Sequence, residues 1–450
     1  MAGDETVLLR DVCVKIGSGA TPRGGKEAYK GGATSLIRSQ NIYNEGFHRD
    51  GLVYIDDDQS DELRNVEVQA NDVLLNITGD SVARCCQVTA DVLPARVNQH
   101  VAILRPEPKS LHARFLRYVL VSHEYQTRLL ALASAGATRP ALTKLMIEQL
   151  DIPKPPLAEQ KDIAAVLGAL DDKIELNRRM NATLEAMARA LFRSWFVDFD
   201  PVRAKLDGRK PIGLDETTAA IFPDSFQESS LGHIPKGWEI GTLGSILDVL
   251  ETGRRPKGGV GSYTCGVPSV GAESINGIGV FDYSKTKYIP QQFFEKTSSG
   301  RVAHFDVLLY KDGGKPGEFR PRVGLFGHDF PFKTFCINEH VFRMRSVRTG
   351  QSFLFFTTSH QRVLDDFANK GGKAAIPGIN QPDVKSTPIV LPPKELTDAF
   401  NARADLLCDQ ILHNAKQSRT LATLRDTLLP KLLSGELSVA DTTLTTGANL

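Results

Sequence analysis

The sequence lacks long apolar runs, paired cysteines and a recognisable targeting signal. No apolar stretch approaches the roughly 18 residues that a membrane-spanning helix needs. The N-terminus carries Asp4 and Glu5 where a signal peptide has basic residues. The six cysteines are scattered, and none forms the C-x-x-C pair of a zinc or redox site. We therefore expect a cytoplasmic protein with reduced, structural cysteines and no contact with a membrane.

Signatures of catalysis are also missing. The sequence has no G-x-x-x-x-G-K-[ST] loop for ATP and no H-E-x-x-H zinc motif, and its ten histidines stand singly. Gly79-x-Ser81 is followed by Ala83 where a nucleophile elbow requires its second glycine. The Asn-Pro-Pro-aromatic loop of amino-methyltransferases is absent as well. These absences predict a chain without catalysis of its own, and the alternative is a methyltransferase or nuclease with unrecognised motifs.

What the chain does contain is the composition of an ordinary globular protein, with 41% hydrophobic and 24% charged residues. Its 450 residues suffice for two or three domains, since single hydrophobic cores stop growing well below that length. The net charge is only +1, but residues 231–393 carry 20 lysines and arginines against 14 acidic residues. A modest basic surplus suits DNA binding where a partner supplies part of the phosphate contact.

An internal duplication organises the chain. The Gly-rich basic loop at residues 21–25 returns 234 residues later at residues 255–259. Asn98-Gln99-His100 pairs with Asn338-Glu339-His340 at an offset of 240, and loop insertions produce such a drift. Each half combines short strand-like runs, Gly-rich turns and a following helix. The predicted fold class is α+β, with two similar mixed α/β domains.

A long helical pattern follows a double proline in each half, after Pro155-Pro156 and after Pro392-Pro393. Proline suits the first turn of a helix, so each pair marks a boundary. Beyond each pair, apolar residues recur at alternating steps of four and three, which is the seam of a coiled coil. We predict two long antiparallel helices packed side by side as a spacer, with one domain at each end and a pseudo-two-fold relation between the halves.

Two asparagines, Asn177 and Asn414, occupy equivalent places near the middle of the two seams. If the helices run antiparallel, these side chains meet, and buried asparagines fix the register of a coiled coil at a cost in stability. The alternative is that this face of each helix turns to solvent.

These patterns define the expected organisation of the chain. The predicted segments are a first globular domain at 1–156, a first spacer helix at 157–200, an irregular linker at 201–230, a second globular domain at 231–393, a second spacer helix at 394–437 and a flexible tail at 438–450.

Polar and basic side chains in the loops of the two domains are the remaining candidates for function. Arginine can bridge guanine N7 and O6, asparagine or glutamine can bridge adenine N6 and N7, and lysine suits phosphates. The candidate DNA-binding residues are Arg23, Lys26, Arg38, Gln40, Asn41, Arg84, Arg139, Arg254, Arg255, Lys257, Lys315, Arg320, Arg322 and Lys373. Any one of them alone has the ordinary explanation of a solvated surface charge. As a set on two duplicated domains, they indicate DNA binding.

Several motifs resemble those of one protein family. They are Gly19-Ala20-Thr21-Pro22 in the first loop, Pro155-Pro156-Leu157-Ala158-Glu159-Gln160 at the start of the first helix, Leu191-Phe192-Arg193-Ser194-Trp195-Phe196 at its end, and Ile234-Pro235-x-Gly237-Trp238 at the start of the second half. Over nearly its full length the chain resembles the specificity subunit of type I restriction-modification systems.

The resemblance implies two target-recognition domains, each of which reads one half of a bipartite site in double-stranded DNA. It implies two methyltransferase subunits that dock on the helices and methylate adenine, and restriction subunits with translocase activity that join them. No cofactor is expected on this chain, because S-adenosylmethionine, ATP and Mg²⁺ belong to the partner subunits of that family. The alternative function is a non-catalytic scaffold whose coiled coil joins two protein-binding modules.

The second helix departs from the family pattern at two places. Its proline junction continues as Lys394-Glu395-Leu396 instead of the Leu-Ala-Glu-Gln of the first helix, and Arg425 takes a seam position that calls for an apolar residue. These departures weaken the expectation that a partner docks at the second helix as it does at the first.

Overall fold

A computed structural model divides the chain into two compact units. Unit 1 comprises Met1–Lys173 and Leu421–Leu450, and unit 2 comprises Ile174–Thr420. The described residues are 6–24, 27, 29, 31–135, 139–315, 317–327, 329–372 and 377–439. Both units therefore contain a globular part and segments of the two predicted spacer helices.

Some sequence predictions fall outside the described residues. They are the candidate residues Lys26 and Lys373, and most of the predicted tail, residues 440–450. Among the residues that are described, no helix combines the length and the apolar content that crossing a membrane requires.

Unit 1 is a mixed α/β domain with parts of two long helices. Its strands are β1 (Thr6–Leu8), β2 (Cys13–Ser18), β3 (Thr34–Ile37), β4 (Ile42–Tyr43), β5 (Gly46–Phe47), β6 (Val53–Ile55), β7 (Glu67–Val68), β8 (Val73–Asn76), β9 (Cys85–Gln87), β10 (Ala95–Val97), β11 (Val101–Pro106) and β12 (Asp151–Pro153). Its helices are α1 (Leu9–Val12), α2 (Asp57–Glu62), α3 (Ala113–Val121), α4 (His123–Ser134), α5 (Lys144–Glu148) and the beginning of α6 (Leu157–Phe196).

Two four-stranded sheets build the core of unit 1. One is antiparallel with the order β2-β11-β8-β9, and the other has the order β6-β3-β10-β7 with β10 parallel to β3. In β8, Leu74 joins the apolar cluster between the sheets, whereas Val73 and Leu75 join the cluster under the helices. Successive side chains of a strand point to opposite faces, so a strand covered on both sides is apolar throughout.

Unit 2 contains the remaining elements. Its strands are β13 (Phe226–Gln227), β14 (Ile234–Pro235), β15 (Glu239–Thr242), β16 (Val249–Thr252), β17 (Val267–Val270), β18 (Gly277–Ile278), β19 (Lys287–Ile289), β20 (Asp306–Tyr310), β21 (Val323–Phe326), β22 (Cys336–Ile337), β23 (Val341–Arg345) and β24 (Pro388–Leu391). Its helices are α7 (Asp200–Leu206), α8 (Glu216–Ile221), α9 (Gln291–Lys296), α10 (Gln351–Thr358), α11 (Gln361–Gly371), α12 (Gln381–Lys385) and most of α13 (Lys394–Leu433).

The strands of unit 2 repeat the order of unit 1. Sheet β16-β23-β20-β21 matches β2-β11-β8-β9, with β18 added at its edge, and sheet β19-β17-β22 matches β6-β3-β10. A buried carboxylate keeps its partner in both: Asp72 pairs with Arg105 at 2.7 Å, and Asp306 pairs with Arg345 at 2.5 Å. The predicted α+β fold with an internal repeat is confirmed.

The two long helices pack against each other in antiparallel orientation. Within unit 2, Asn177 Nδ2 donates to Ser418 Oγ at 3.2 Å, and Asn414 Nδ2 donates to Asn181 Oδ1 at 2.9 Å. The residue number on α13 falls as the number on α6 rises, so the helices run in opposite directions, as predicted.

The polar residues Asn177 and Asn414 are buried at this helix pair. Asn177 Nδ2 donates to the Asn414 carbonyl oxygen at 3.4 Å and to Gln417 Oε1 at 2.9 Å. The other amide atom, Asn177 Oδ1, is buried without a hydrogen-bond partner among the described residues. The pairing thus holds the helices in one register but leaves one polar atom unsatisfied.

Replacing Asn177 and Asn414 together by leucine is expected to raise the free energy of unfolding by about 1 to 3 kcal/mol, because that is the cost of burying a polar group without a partner. The same change is expected to loosen the register of the helix pair. Thermal unfolding by calorimetry measures the first effect. A double variant of lower stability than the wild type would contradict the pairing.

Arg425 lies, within unit 1, at the seam position that the heptad pattern assigns to an apolar residue. Its Nη1 donates to Asp171 Oδ1 at 2.8 Å, while Asp171 Oδ2 accepts from Arg117 Nη1 at 2.5 Å and from the Tyr118 hydroxyl at 2.7 Å. Burial acts to raise the pKa of Asp171, but the charge of Arg117 and the hydrogen bonds from Tyr118 and Arg425 outweigh it and hold that pKa below its ordinary value. Arg425 is therefore an ion-pair partner of α6 within the seam.

The segment 201–230 differs from the irregular linker that its prolines suggested. It contains α7 and α8, and Val202 and Phe222 are buried in the core of unit 2. The Phe222 ring lies edge-on to Trp195, with 5.4 Å between ring centroids. Pro201 is compatible with α7 because it stands in the first turn, where a missing amide hydrogen costs nothing.

Candidate nucleic-acid interface

A polar turn is repeated at the start of one strand in each unit. In unit 1, Asn98 Oδ1 accepts the main-chain N–H of His100 at 3.2 Å, directly before β11. In unit 2, Asn338 Oδ1 accepts the main-chain N–H of His340 at 2.9 Å, directly before β23. The asparagine shapes the turn, and the turn presents a histidine at the same place in both units.

The histidine of unit 1 lies among neutral polar groups. Thr78 Oγ1 and His100 Nδ1 are 2.6 Å apart, and His100 Nε2 lies 3.1 Å from Gln99 Nε2. The Thr21 hydroxyl, from the Gly-rich loop, donates to Gln99 Oε1. We call Thr21, Thr78, Gln99 and His100 the neutral cluster.

The histidine of unit 2 lies among charged groups at the equivalent positions. His340 Nδ1 is 2.5 Å from Asp312 Oδ1, and His340 Nε2 is 3.3 Å from Glu339 Oε1. Arg255, from the second Gly-rich loop, pairs with Glu339 at 2.7 Å, and Lys311 pairs with Asp312 at 3.1 Å. We call Arg255, Lys311, Asp312, Glu339 and His340 the charged cluster.

Glycine is required where each loop crosses the sheet. A Cβ atom on Gly19 would lie 2.1 Å from the Val97 carbonyl oxygen, and one on Gly253 would lie 1.6 Å from the Ile337 carbonyl oxygen. The reason for a glycine at these two positions is therefore the crossing of β10 or β22 by the loop.

Several of the predicted basic loop residues lie within three positions, along the chain, of a member of one of the two clusters. In unit 1, Arg23 is exposed two residues after Thr21, and exposed Arg139 lies beside the Thr78 turn because Gly79 N donates to the Pro140 carbonyl oxygen at 3.2 Å. In unit 2, Arg254 and Lys257 are exposed on either side of Arg255. Lys315 is exposed three residues after Asp312.

A second group in unit 1, which we call the Tyr43 group (Tyr43, His48 and Arg84), centres on a half-buried aromatic ring that the sequence did not single out. Tyr43 stacks on His48 with 4.1 Å between ring centroids, and the Arg84 guanidinium lies 4.7 Å from the Tyr43 ring. Tyr43 belongs to the hairpin of β4 and β5, which we call the Tyr43 hairpin. Beside it, Arg38 and Gln40 both donate to the Gly51 carbonyl oxygen. The signal in the sequence was a tyrosine and a histidine flanking the glycine of a short hairpin.

Asn41 is not a base-reading residue. It is fully buried, its Nδ2 donates to the carbonyl oxygens of His48 and Asp50, and its Oδ1 accepts the main-chain N–H of Arg38. All of its hydrogen-bonding capacity holds the turn around the hairpin. A buried side chain with satisfied donors cannot contact DNA, so this sequence-based assignment is corrected.

The two remaining DNA-binding candidates of unit 2 differ in how firmly neighbouring residues hold them. Arg322 donates to the Ala272 carbonyl oxygen at 2.9 Å and to Asn276 Oδ1 at 3.2 Å, and it lies over the Tyr310 ring at 4.9 Å. Arg320 is 83% exposed and pairs with Glu318, two residues away. Arg322 is thus held in place, whereas Arg320 projects into solvent.

In unit 1 the neutral cluster and the Tyr43 group adjoin each other at the end of β8. Asn76 Nδ2 donates to the Ser39 carbonyl oxygen at 2.9 Å, next to Arg38 and Gln40, while Thr78 contacts His100. The position equivalent to Asn76 in unit 2 is Tyr310. The two groups are thus linked in unit 1 through the buried side chain of Asn76 at the end of β8.

Among the described residues, neither a metal-site arrangement nor, at Cys86 and Cys336, an activated thiol is found. No group of three or more histidine, cysteine or acidic side chains has the arrangement of a metal site there. Burial raises the pKa of the Cys86 thiol to about 12 and that of Cys336 to about 11. These thiols stay protonated at neutral pH and are poor nucleophiles.

Comparison with known proteins identifies the relatives of the chain. Residues 2–186 match the model of the type I restriction modification DNA specificity domain. The chain is 26% identical over 325 residues to the MjaIX type I restriction enzyme specificity subunit of Methanocaldococcus jannaschii, over 72% of this chain and 69% of that protein. It is 25% identical over 426 residues to the HindI specificity subunit of Haemophilus influenzae, over 82% of this chain and 87% of that protein. The crystal structure of a type I restriction-modification S subunit from M. genitalium has the same fold, with a TM-score of 0.55 at 15% identity and 95% coverage of each chain.

Proposed function

We propose that this chain, a specificity subunit of the type I restriction-modification family, recognises a bipartite target in double-stranded DNA and directs adenine methylation or restriction by partner subunits. The observation that carries the proposal is the pair of clusters around His100 and His340. The two units keep the same framework and the same histidine, but differ in charge at the neighbouring positions. Two similar domains that carry different side chains on one framework are suited to two different half-targets.

We also propose that the chain contributes recognition without catalysis. Methyl transfer would require S-adenosylmethionine on two methyltransferase subunits, and cleavage would require ATP and Mg²⁺ on restriction subunits with translocase activity. The polar and basic loops supply hydrogen-bond donors for bases and charges for phosphates, which is what a DNA-reading partner needs. Its place of action is the cytoplasm, where the DNA of a prokaryotic host lies.

The alternative, a scaffold whose paired helices join two protein-binding modules, is not favoured. A scaffold function does not explain why the turn that carries His100 is repeated at His340 with different neighbouring side chains. Binding assays on a defined DNA site, with and without the methyltransferase subunits, separate the two functions. Methyl transfer or cleavage by the purified chain alone would contradict the proposed division of labour.

Replacing Arg255 by alanine is expected to weaken binding by about 1 to 3 kcal/mol and to relax the preference at one half of the target, as removal of a base-contacting arginine does. The matched control is Arg209→Ala. Arg209 is an arginine of unit 2 with similar exposure, 62% against 57%, that pairs with Asp207 outside the cluster. The measurement is binding to DNA with single-base changes in each half. Equal, uniform losses for both variants would show that Arg255 does not read sequence.

A further inference from the structure

A chain of buried polar groups connects the long helices to the Tyr43 hairpin within unit 1. It begins at Asp171 on α6, whose Oδ2 accepts from Arg117 Nη1 at 2.5 Å. The other terminal nitrogen of Arg117, Nη2, donates to the Asn44 carbonyl oxygen, also at 2.5 Å. The Arg117 side chain is only 7% exposed, so one guanidinium spans from the helix to the hairpin in a site shielded from water.

Asn44 links the network to both Tyr43 and Arg84. It directly follows Tyr43, and its Oδ1 accepts the main-chain N–H of Cys85 at 3.0 Å. Cys85 directly follows Arg84, whose guanidinium lies over the Tyr43 ring. Tyr43 and Arg84, both half-buried, are thus each adjacent in sequence to a residue that the network holds.

The network is particular to unit 1. In the repeat, the positions equivalent to Asp171 and Arg425 are Cys408 and Ala188, both fully buried in the apolar core of unit 2. In the repeat, a thiol and a methyl group thus take the places of the Asp171–Arg425 ion pair. Buried ionic groups are often no more stabilising than apolar ones of similar volume, but they demand a defined geometry. The ionic network of unit 1 therefore supplies a defined geometry, and the Tyr43 hairpin is the segment at its far end.

We propose that Arg117 is a positioning residue for DNA recognition by unit 1. It fixes the Tyr43–Arg84 pair relative to α6, so that recognition of one half-target depends on a buried arginine that touches no DNA. The guanidinium fork is essential because a single ammonium group cannot bridge Asp171 and the Asn44 carbonyl in the same geometry. This proposal rests on the proposed function for its effect on DNA.

The test uses the full-length chain assembled with its methyltransferase subunits and DNA carrying single-base changes in either half of the target. Arg84→Ala first identifies the half that unit 1 reads. Arg117→Met removes the bridge but leaves the Asp171–Arg425 pair intact. It is expected to reduce discrimination by about tenfold at that same half, in the range for a lost base contact, and to leave the other half unchanged.

Two conservative variants separate positioning from simple destabilisation. Arg117→Lys keeps the charge beside Asp171 and is expected to stay folded but to lose discrimination as Arg117→Met does. Arg105→Lys makes the matched change in another buried ion pair of unit 1, with Asp72, which does not touch the hairpin. It is expected to leave discrimination at both halves unchanged. Hydrogen exchange at residues 42–48 should accelerate only in the Arg117 variants.

Three outcomes would overturn the proposal. They are unchanged discrimination in both Arg117 variants, equal losses at both halves of the target, and equal losses in the Arg117 and Arg105 variants. If the unaltered complex recognises no bipartite target, the proposed function itself fails. Hydrogen exchange at the hairpin remains a separate readout, because it reports whether Arg117 holds residues 42–48 without any DNA present.

Discussion

Replacing Asp171 by alanine is expected to lower the free energy of unfolding of unit 1 by about 3 to 5 kcal/mol, the cost of leaving buried charges without their partner. Asp171 is the counter-charge for both Arg117 and Arg425, whose side chains are only 7% and 16% exposed. Without the carboxylate, Arg117 loses its buried counter-charge, and Arg425 keeps its contact with the more exposed Asp426. Chemical denaturation of the full-length chain measures the loss.

The matched control is Cys408→Ala, the change at the equivalent position of the repeat. Cys408 is fully buried, and its Sγ accepts a hydrogen bond from the Ser352 hydroxyl at 3.8 Å. Its replacement is expected to cost about 1 kcal/mol, which is typical of a single substitution. Equal losses in the two variants would show that the ionic network contributes nothing beyond ordinary packing.

The same carboxylate is expected to give unit 1 an acid-sensitive contribution to stability. Its pKa is lower in the folded than in the unfolded protein. The stabilisation is therefore complete above the unfolded value, about 3.9, and is lost as the pH falls through the folded pKa. Comparing the pH dependence of wild type and Asp171→Ala isolates this contribution, since the variant has no such group to titrate.

Inserting seven residues after Lys173 in α6 and seven after Thr420 in α13 is expected to widen the unread gap of the target by about three base pairs. Both helices pass from one unit to the other at these places. Seven helical residues add about 10 Å while keeping the seam on the same face, and three base pairs span the same length at about 3.4 Å each. Mapping methylated adenines in cells that carry the altered chain and its partners measures the gap.

The grooves of the DNA rotate by about a third of a turn over three base pairs, so binding to the widened target is expected to be weaker than that of the wild type to its own. The control places the insertion in α6 alone, which shifts the helices out of register, so that the Asn177–Ser418 and Asp171–Arg425 contacts cannot both be kept. It is expected to destabilise the pair without yielding a new target. An unchanged gap after the double insertion would show that the helices do not set the spacing.

Periodic and repeated residue patterns in the sequence predicted the long helices and the duplicated fold correctly. Successive seam residues at steps of three and four predicted both long helices, and the offsets between residues 21–25 and 255–259 and between His100 and His340 predicted a duplicated fold. These features depend on backbone preference and on burial of one helix face, which neighbouring residues determine. The first long helix begins at Leu157, directly after the double proline.

The wrong or missing predictions concern residue types that can serve several structural roles. Asn41 matched the chemistry of a base reader, yet its amide closes a turn. Tyr43 and His48 were not selected because single aromatic residues are common in cores, and only the folded hairpin stacks them beside Arg84. Prolines in the segment 201–230 suggested irregular chain, although Val202 and Phe222 between them are buried in the core of unit 2.

The sequence by itself determined that this protein has two similar α/β domains, two long helices with polar residues at equivalent seam positions, and the motifs of a DNA specificity subunit. Only the tertiary structure decided which side chains stand around each histidine, and that Arg425 pairs with Asp171 across 254 residues of chain. The physical reason is that helix and strand patterns arise from neighbours along the chain. Hydrogen bonds and ion pairs instead depend on distances of a few ångströms between residues that only folding brings together.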